Sequence, residues 1–190
     1  MGRDAPDFGA FGATMFLGFV VIPVWLAMGL SDYICHRASD IARTSGAKES
    51  LLHLMQFASV GIPLITALFF DIDAGLLVLM TVFVVLRHLI AFVDVRYANA
   101  TRKVRPVEQM VHSFLEIMPI TALLLAGVIA FRQLEALFGL GEQHADFVLH
   151  LRQPPLPAWY IGSVLLAAFL LNFVPYLEEL LRCLRARPER

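Results

Sequence analysis

Five apolar runs, each long enough to cross a bilayer, constrain this 190-residue chain more than any other feature. They cover residues 11–30, 51–70, 74–95, 107–131 and 158–181, and a span needs roughly 20 such residues. Hydrocarbon offers no partner to an unpaired N–H or C=O group, so only helices or closed barrels can cross it. Unbroken apolar runs, without strict alternation, select helices. The expected fold is an all-α integral membrane protein of one domain, 1–190, with helices at about 9–37, 50–70, 74–98, 107–133 and 157–184. Composition agrees: 58 % of residues are hydrophobic and 16 % charged, where soluble proteins carry about 25 % charged.

Orientation follows from Lys and Arg, because basic loops stay on the cytoplasmic side. Arg37, Arg43 and Lys48 follow the first span, Arg96, Arg102, Lys103 and Arg105 the third, and Arg182, Arg185, Arg187 and Arg190 the fifth. Only Arg3, Arg132 and Arg152 fall on the opposite side. The N-terminus is therefore expected outside and the C-terminus in the cytoplasm, in a bacterial inner membrane. The first run lacks a basic leader and a small-residue cleavage site and continues into Asp32 and His36, so it reads as a retained helix. Pro6 breaks the myristoylation pattern after Met1-Gly2. Cys35 and Cys183 fall at cytoplasmic helix ends, where disulfides are rare. A net charge of -1 points away from nucleic acid and leaves membrane lipids as the partner of the basic loops.

Against this apolar background, nine residues stand out as metal-ligand candidates: Asp32, His36, Glu49, His53, His88, Asp94, Glu108, His112 and Glu116. An ionisable group in a membrane costs about 2.5–3.5 kcal/mol on insertion scales, so each requires a partner. Residues four apart share a helix face about 6 Å along the axis. Asp32/His36, Glu49/His53 and Glu108/His112/Glu116 have that spacing; His88 and Asp94, six apart, diverge by about 120°. The sets lie at the end of span one, the start of two, the end of three and the start of four, which places all of them on one side of the membrane. Antiparallel directions predict a shallower layer of His36, Glu49, Asp94 and Glu108 and a deeper one of Asp32, His53, His88 and His112, with Glu116 deeper still. Two mixed layers point to two divalent ions, or to one ion with an elaborate set of supporting residues, with iron foremost and zinc or manganese as alternatives; the absence of thiolate disfavours copper(I) and iron–sulfur clusters. Salt bridges to Arg37, Arg87 and Arg96 are the competing fate of these carboxylates, and Arg87 is expected to pair with Asp94 or Glu116. Tyr33 and Ser113 adjoin the ligands in sequence but project off their faces.

The fifth span carries no His, and it is expected to serve packing or homodimerisation. Pro23, Pro63, Pro119 and Pro175 are expected to interrupt four spans, and Ala10, Thr14 and Gly18 form a small-residue contact row. Residues 133–157 form the long outer connection; its His144, Asp146 and His150 read as a solvated loop.

The four-helix arrangement over roughly residues 30–118 resembles the di-iron and di-manganese carboxylate bundles, the membrane-bound alternative oxidase among them. Its Glu and His lie four apart, rather than three as in those bundles. The resemblance implies an O2-dependent oxidoreductase acting on a lipid or other membrane-soluble substrate. A zinc-dependent hydrolase with Glu116 as base, and metal transport, storage or sensing, are the alternatives; the apolar outer halves of the spans argue against a transport path.

Overall fold

The computed structural model describes residues 8–186. Arg3, Pro6, Arg187, Arg190 and the Met1-Gly2 pattern lie outside the described residues. Six helices run through it: α1 (Phe8–Ala38), α2 (Ala47–Phe69), α3 (Ala74–Thr101), α4 (Pro106–Ile129), α5 (Phe131–Leu137) and α6 (Ala158–Arg185). All but α5 are long and apolar enough to cross a membrane, and no strand occurs among the described residues. Their outward faces are apolar: Leu89 is 60 % exposed, Phe92 62 % and Leu124 67 %. Lipid tails are the solvent that such surfaces need.

Within the bundle, α1 packs on α4, α4 on α3, and α3 on α2, while α6 packs against both α1 and α2. The fifth long helix is therefore part of the bundle wall rather than an outlying packing element. Small residues set its approach to α1. The Tyr160 hydroxyl donates to the Gly18 carbonyl at 3.0 Å, and a Cβ on Gly18 would sit 2.8 Å from that oxygen. One turn before Asp32, Gly29 faces the buried Asn172, whose amide donates to the Leu26 carbonyl at 3.2 Å. A Cβ at Gly29 would fall 1.7 Å from the Asn172 Oδ1, so glycine alone permits this crossing.

The prolines do not end their helices. Pro63 and Pro119 lie inside continuous α-helix. Before Pro23 and Pro175 the helix widens into five-residue π-turns, Leu17–Val21 and Phe169–Phe173. A proline removes one hydrogen bond and crowds the carbonyl four residues back; a π-turn absorbs both within the helix. The fourth span does break, at Ala130, where φ is -108° and ψ is 41°. Helix α4 thus stops short of residue 133, and α5 starts the outer connection. That connection lies over the α2–α3 turn, through the Asp71 N–H to the His150 carbonyl, the Gly75 N–H to the Asp146 carbonyl and the Arg152 N–H to the Phe69 carbonyl, each 2.9 Å.

At the opposite end the turns are short and specific. Gly46 adopts φ 70°, ψ -156°, a conformation that favours glycine, and α2 starts immediately after it. Pro106 at the start of α4 holds Arg105 extended. Arg102 is also extended, at φ -152° and ψ 169°, so α3 ends there. Glu49 and Glu108 consequently occupy first helical turns, where the helix dipole favours negative charge.

Candidate metal centre

The carboxylates and imidazoles of α1 to α4 meet in one buried cluster. Four overlapping groups each bring ligand atoms within 4.8 Å of one another: Asp32, His36 and His112; His36, Glu49 and Glu108; Glu49, His53 and Asp94; and His36, His53 and Glu179. His36, Glu49 and Glu108, from three helices, form a group within the expected shallower layer, whereas Asp32/His36/His112 and Glu49/His53/Asp94 each join one helix pair across both layers. Asp32, His36, Glu108 and His112 come from α1 and α4, Glu49, His53 and Asp94 from α2 and α3, and each half spans both expected layers. Antiparallel neighbours pack side by side, so an i, i+4 pair on one helix meets its counterpart on the adjacent helix at both levels.

Glu179 is the member that sequence reasoning missed. Fully buried on α6, it accepts His36 Nδ1 and His53 Nδ1 at 3.1 Å each, one on each carboxylate oxygen. The two rings lie parallel, with centroids 4.1 Å apart and planes 10° apart. Two imidazolium ions stacked so closely would repel; with Nδ1–H donated to Glu179, a neutral ring can turn its Nε2 lone pair toward the cluster. His36 Nε2 lies 3.3 Å from Asp32 Oδ1 and 3.5 Å from Glu108 Oε1. His53 Nε2 lies 3.2 Å from Asp94 Oδ2 and 4.0 Å from Glu49 Oε1. His112 Nε2 lies 2.9 Å from Asp32 Oδ1. None of these approaches is a hydrogen bond by geometry: Asp32 Oδ1, His36 Nε2, His53 Nε2 and Asp94 Oδ1 are all buried without a hydrogen-bond partner. An unsatisfied buried polar atom costs about 1–3 kcal/mol, and more when charged. Carboxylate and imidazole atoms converging in this way could hold a cation.

Arg102 closes the face of the cluster nearest the α3–α4 turn. Its extended backbone turns the guanidinium back into the bundle, where Nη1 donates to Glu108 at 2.9 Å and Nε to Glu49 at 3.1 Å, while Nη2 contacts both carboxylates. The sequence reading treated Arg102 only as a topology signal and looked to Arg37, Arg87 and Arg96 for salt bridges. Arg37 instead pairs with Glu178 at 3.0 Å, and Arg96 lies over the Phe92 ring at 5.7 Å. Arg87 forms no ion pair with Asp94 or Glu116 among the described residues. Asp94 is engaged by His53 and by Gln56, whose amide donates at 3.0 Å.

His88 and Glu116 belong to none of the tight groups. His88 Nδ1 donates to the Val84 carbonyl at 2.7 Å, as its 120° divergence from Asp94 requires. Glu116 faces a small cavity beside Asp32, His53 and His112. Tyr33 donates to Glu178 at 2.8 Å and Ser113 back-bonds to the Gln109 carbonyl, so neither supports the cluster. In the outer loop His150 and Asp146 pair at 3.0 Å on the exposed surface.

No protein-family model, curated protein or solved structure matches this chain. Its chemistry rests on the geometry above: membrane-spanning helices enclosing carboxylate and histidine groups that could hold metal ions.

Proposed function

We propose that this protein is an integral membrane metalloprotein that holds two divalent ions, and that with iron it oxidises a lipid or other membrane-soluble substrate at the expense of O2. The observation that carries the reading is the stacked pair His36/His53 on Glu179. Two parallel rings 4.1 Å apart present two lone pairs at a spacing that suits ions roughly 3.5–4 Å apart, as in two-metal sites. A carboxylate behind a ligating imidazole is the usual support of such a ligand.

Charge supports the same number. With the histidines taken as neutral, Asp32, Glu49, Asp94, Glu108, Glu116 and Glu179 carry six negative charges against the guanidiniums of Arg87 and Arg102, a surplus of four that two divalent ions would cancel. Asp32, His36, Glu108 and His112 would hold one ion, and Glu49, His53 and Asp94 the other. Carboxylate and imidazole without thiolate suit iron, manganese or zinc. Iron would supply O2 binding and a change of oxidation state. The chain's own residues do the remaining work: Glu179 orients the imidazoles, Arg102 neutralises Glu49 and Glu108, and the apolar outer halves of α1 to α4 exclude water.

A zinc hydrolase is the second reading, favoured by Glu116, a carboxylate in the adjoining cavity that is free to take a proton from water. One experiment separates the two. Metal counted per chain should approach two, and the iron-loaded protein should bleach with dithionite and recover its near-ultraviolet or visible absorption in air. Native zinc with no redox change and no oxygen uptake would reject the oxidase.

The basic residues around the cluster end support a cytoplasmic location for it in a bacterial inner membrane. In a background lacking Cys35 and Cys183, Arg43→Cys should react with an impermeant thiol reagent only after cells are opened. Labelling in intact cells would reverse the orientation.

A further inference from the structure

Arg87 contributes charge to the cluster's surroundings but forms no ion pair with its carboxylates among the described residues. It lies near the middle of α3, only 3 % exposed, and its Nε and Nη1 are buried without a hydrogen-bond partner. A guanidinium at membrane depth is costly unless something accepts its N–H groups. Two small polar cavities of about 20 Å3 each lie against it, and Asp32, His53 and Gln56 line both. Each has room for about one oxygen-sized atom.

A much larger cavity, about 250 Å3, fills the outer half of the bundle and is almost wholly apolar. It runs from Leu156, Trp159 and Tyr160 at the outer end to Trp25 and Ser59. Trp25, 6 % exposed, lines both the apolar space and the first small cavity, so a ligand spanning the two must displace its indole. A mostly apolar cavity ending at a few convergent polar groups is the usual form of a small-molecule site.

We propose that these spaces together bind a single-chain lipid whose neutral carbonyl oxygen, from an ester, ketone, aldehyde or quinone, accepts from Arg87 while its apolar chain occupies the outer cavity. This deepens the proposed function by naming its substrate class, and it rests on that reading for the neutrality of the head. With two divalent ions present the fixed charges cancel. Arg87 then needs an acceptor rather than a counter-ion, and an anionic head would face six carboxylates. A neutral acceptor satisfies the guanidinium without adding charge. The head would lie beside His53 and Asp32, while the chain points away from the cluster.

The test uses the two tryptophans of the chain. In the full-length Trp159→Phe variant, the remaining fluorophore is Trp25, which surrounding detergent reaches poorly. Long-chain methyl esters brominated near the head should quench it saturably and more strongly than esters brominated near the chain end. A brominated alkane and the brominated free acid should bind more weakly. Adding Arg87→Met should weaken the ester about tenfold without changing the alkane, and Ala122→Phe, which narrows the apolar cavity, should reduce quenching by both. Non-saturable quenching, equal affinity for ester and alkane, or preference for the free acid overturns the proposal. Fluorescence does not depend on turnover. Ester-selective quenching in a protein that binds no metal would therefore reject the metalloenzyme and retain the lipid site; metal binding without such quenching would do the reverse.

Discussion

Replacing Glu179 with Leu is expected to abolish metal retention although every proposed ligand stays in place. Glu179 touches only the Nδ1 atoms of His36 and His53, on the far side of both rings from the cluster. Without it, neither ring has its Nδ1–H anchored, and neither Nε2 is held toward Asp32 or Asp94. Loss of such a supporting group typically costs 10–100-fold in metal affinity; here one carboxylate supports two ligands, which places the loss at about 100-fold or beyond. Glu179→Gln offers one acceptor and one donor, can satisfy a single imidazole, and should fall between the two. Glu178→Gln is the control, because that side chain is 42 % exposed and pairs with Arg37 outside the cluster. Metal per chain after dialysis against a graded chelator reads the result. Two ions retained by Glu179→Leu as tightly as by the unaltered protein would remove the stacked-imidazole argument.

The largest change in stability is expected at Arg102. Its side chain is 3 % exposed, and the two carboxylates that it joins are 0 % and 1 % exposed. Removing one partner of a buried ion pair leaves an uncompensated charge and costs about 3–5 kcal/mol. Arg102→Leu strands two carboxylates, so a loss at the upper end of that range is expected in denaturant unfolding in detergent. Arg102→Lys should recover only part of it, since an ammonium cannot donate through a planar fork to both acids. Combining Arg102→Leu with Glu49→Gln and Glu108→Gln removes the stranded charges. Stability should return in that triple variant while metal binding does not. A triple variant as unstable as Arg102→Leu alone would mean that Arg102 acts through packing and not through charge.

Much of this molecule was determined by local composition. Five apolar runs had to become helices, because their backbone groups have no other partners in hydrocarbon, and each run coincides with a long helix of the structure, the second ending at Phe69 and the fourth breaking at Ala130. Likewise, i, i+4 spacing by itself places Asp32 with His36, Glu49 with His53 and Glu108 with His112 on shared faces, and the antiparallel order of short-linked helices brings those faces to one end. His88 and Asp94 were both expected as ligands despite their separation of about 120°, but only Asp94 joins a group, while His88 bonds the Val84 carbonyl.

Tertiary structure decided what spacing along a helix cannot encode. Glu179 lies well over a hundred residues from both of its imidazoles, on a helix without histidine, and nothing local distinguishes it from its exposed neighbour Glu178. Only the seating of α6 against both α1 and α2 turns one glutamate inward and the other toward Arg37. Arg102 likewise looks like another basic loop residue. Its role depends on its own extended backbone at the end of α3, which turns the side chain back into the bundle. Arg87 shows the converse: its helix face pointed to a salt bridge, but His53 and Gln56 engage Asp94 first. Helical period assigns faces, whereas the choice of partner among several charges on adjoining faces depends on the rotation and approach of whole helices, and these are set by contacts such as Gly29 against Asn172 and Gly18 against Tyr160.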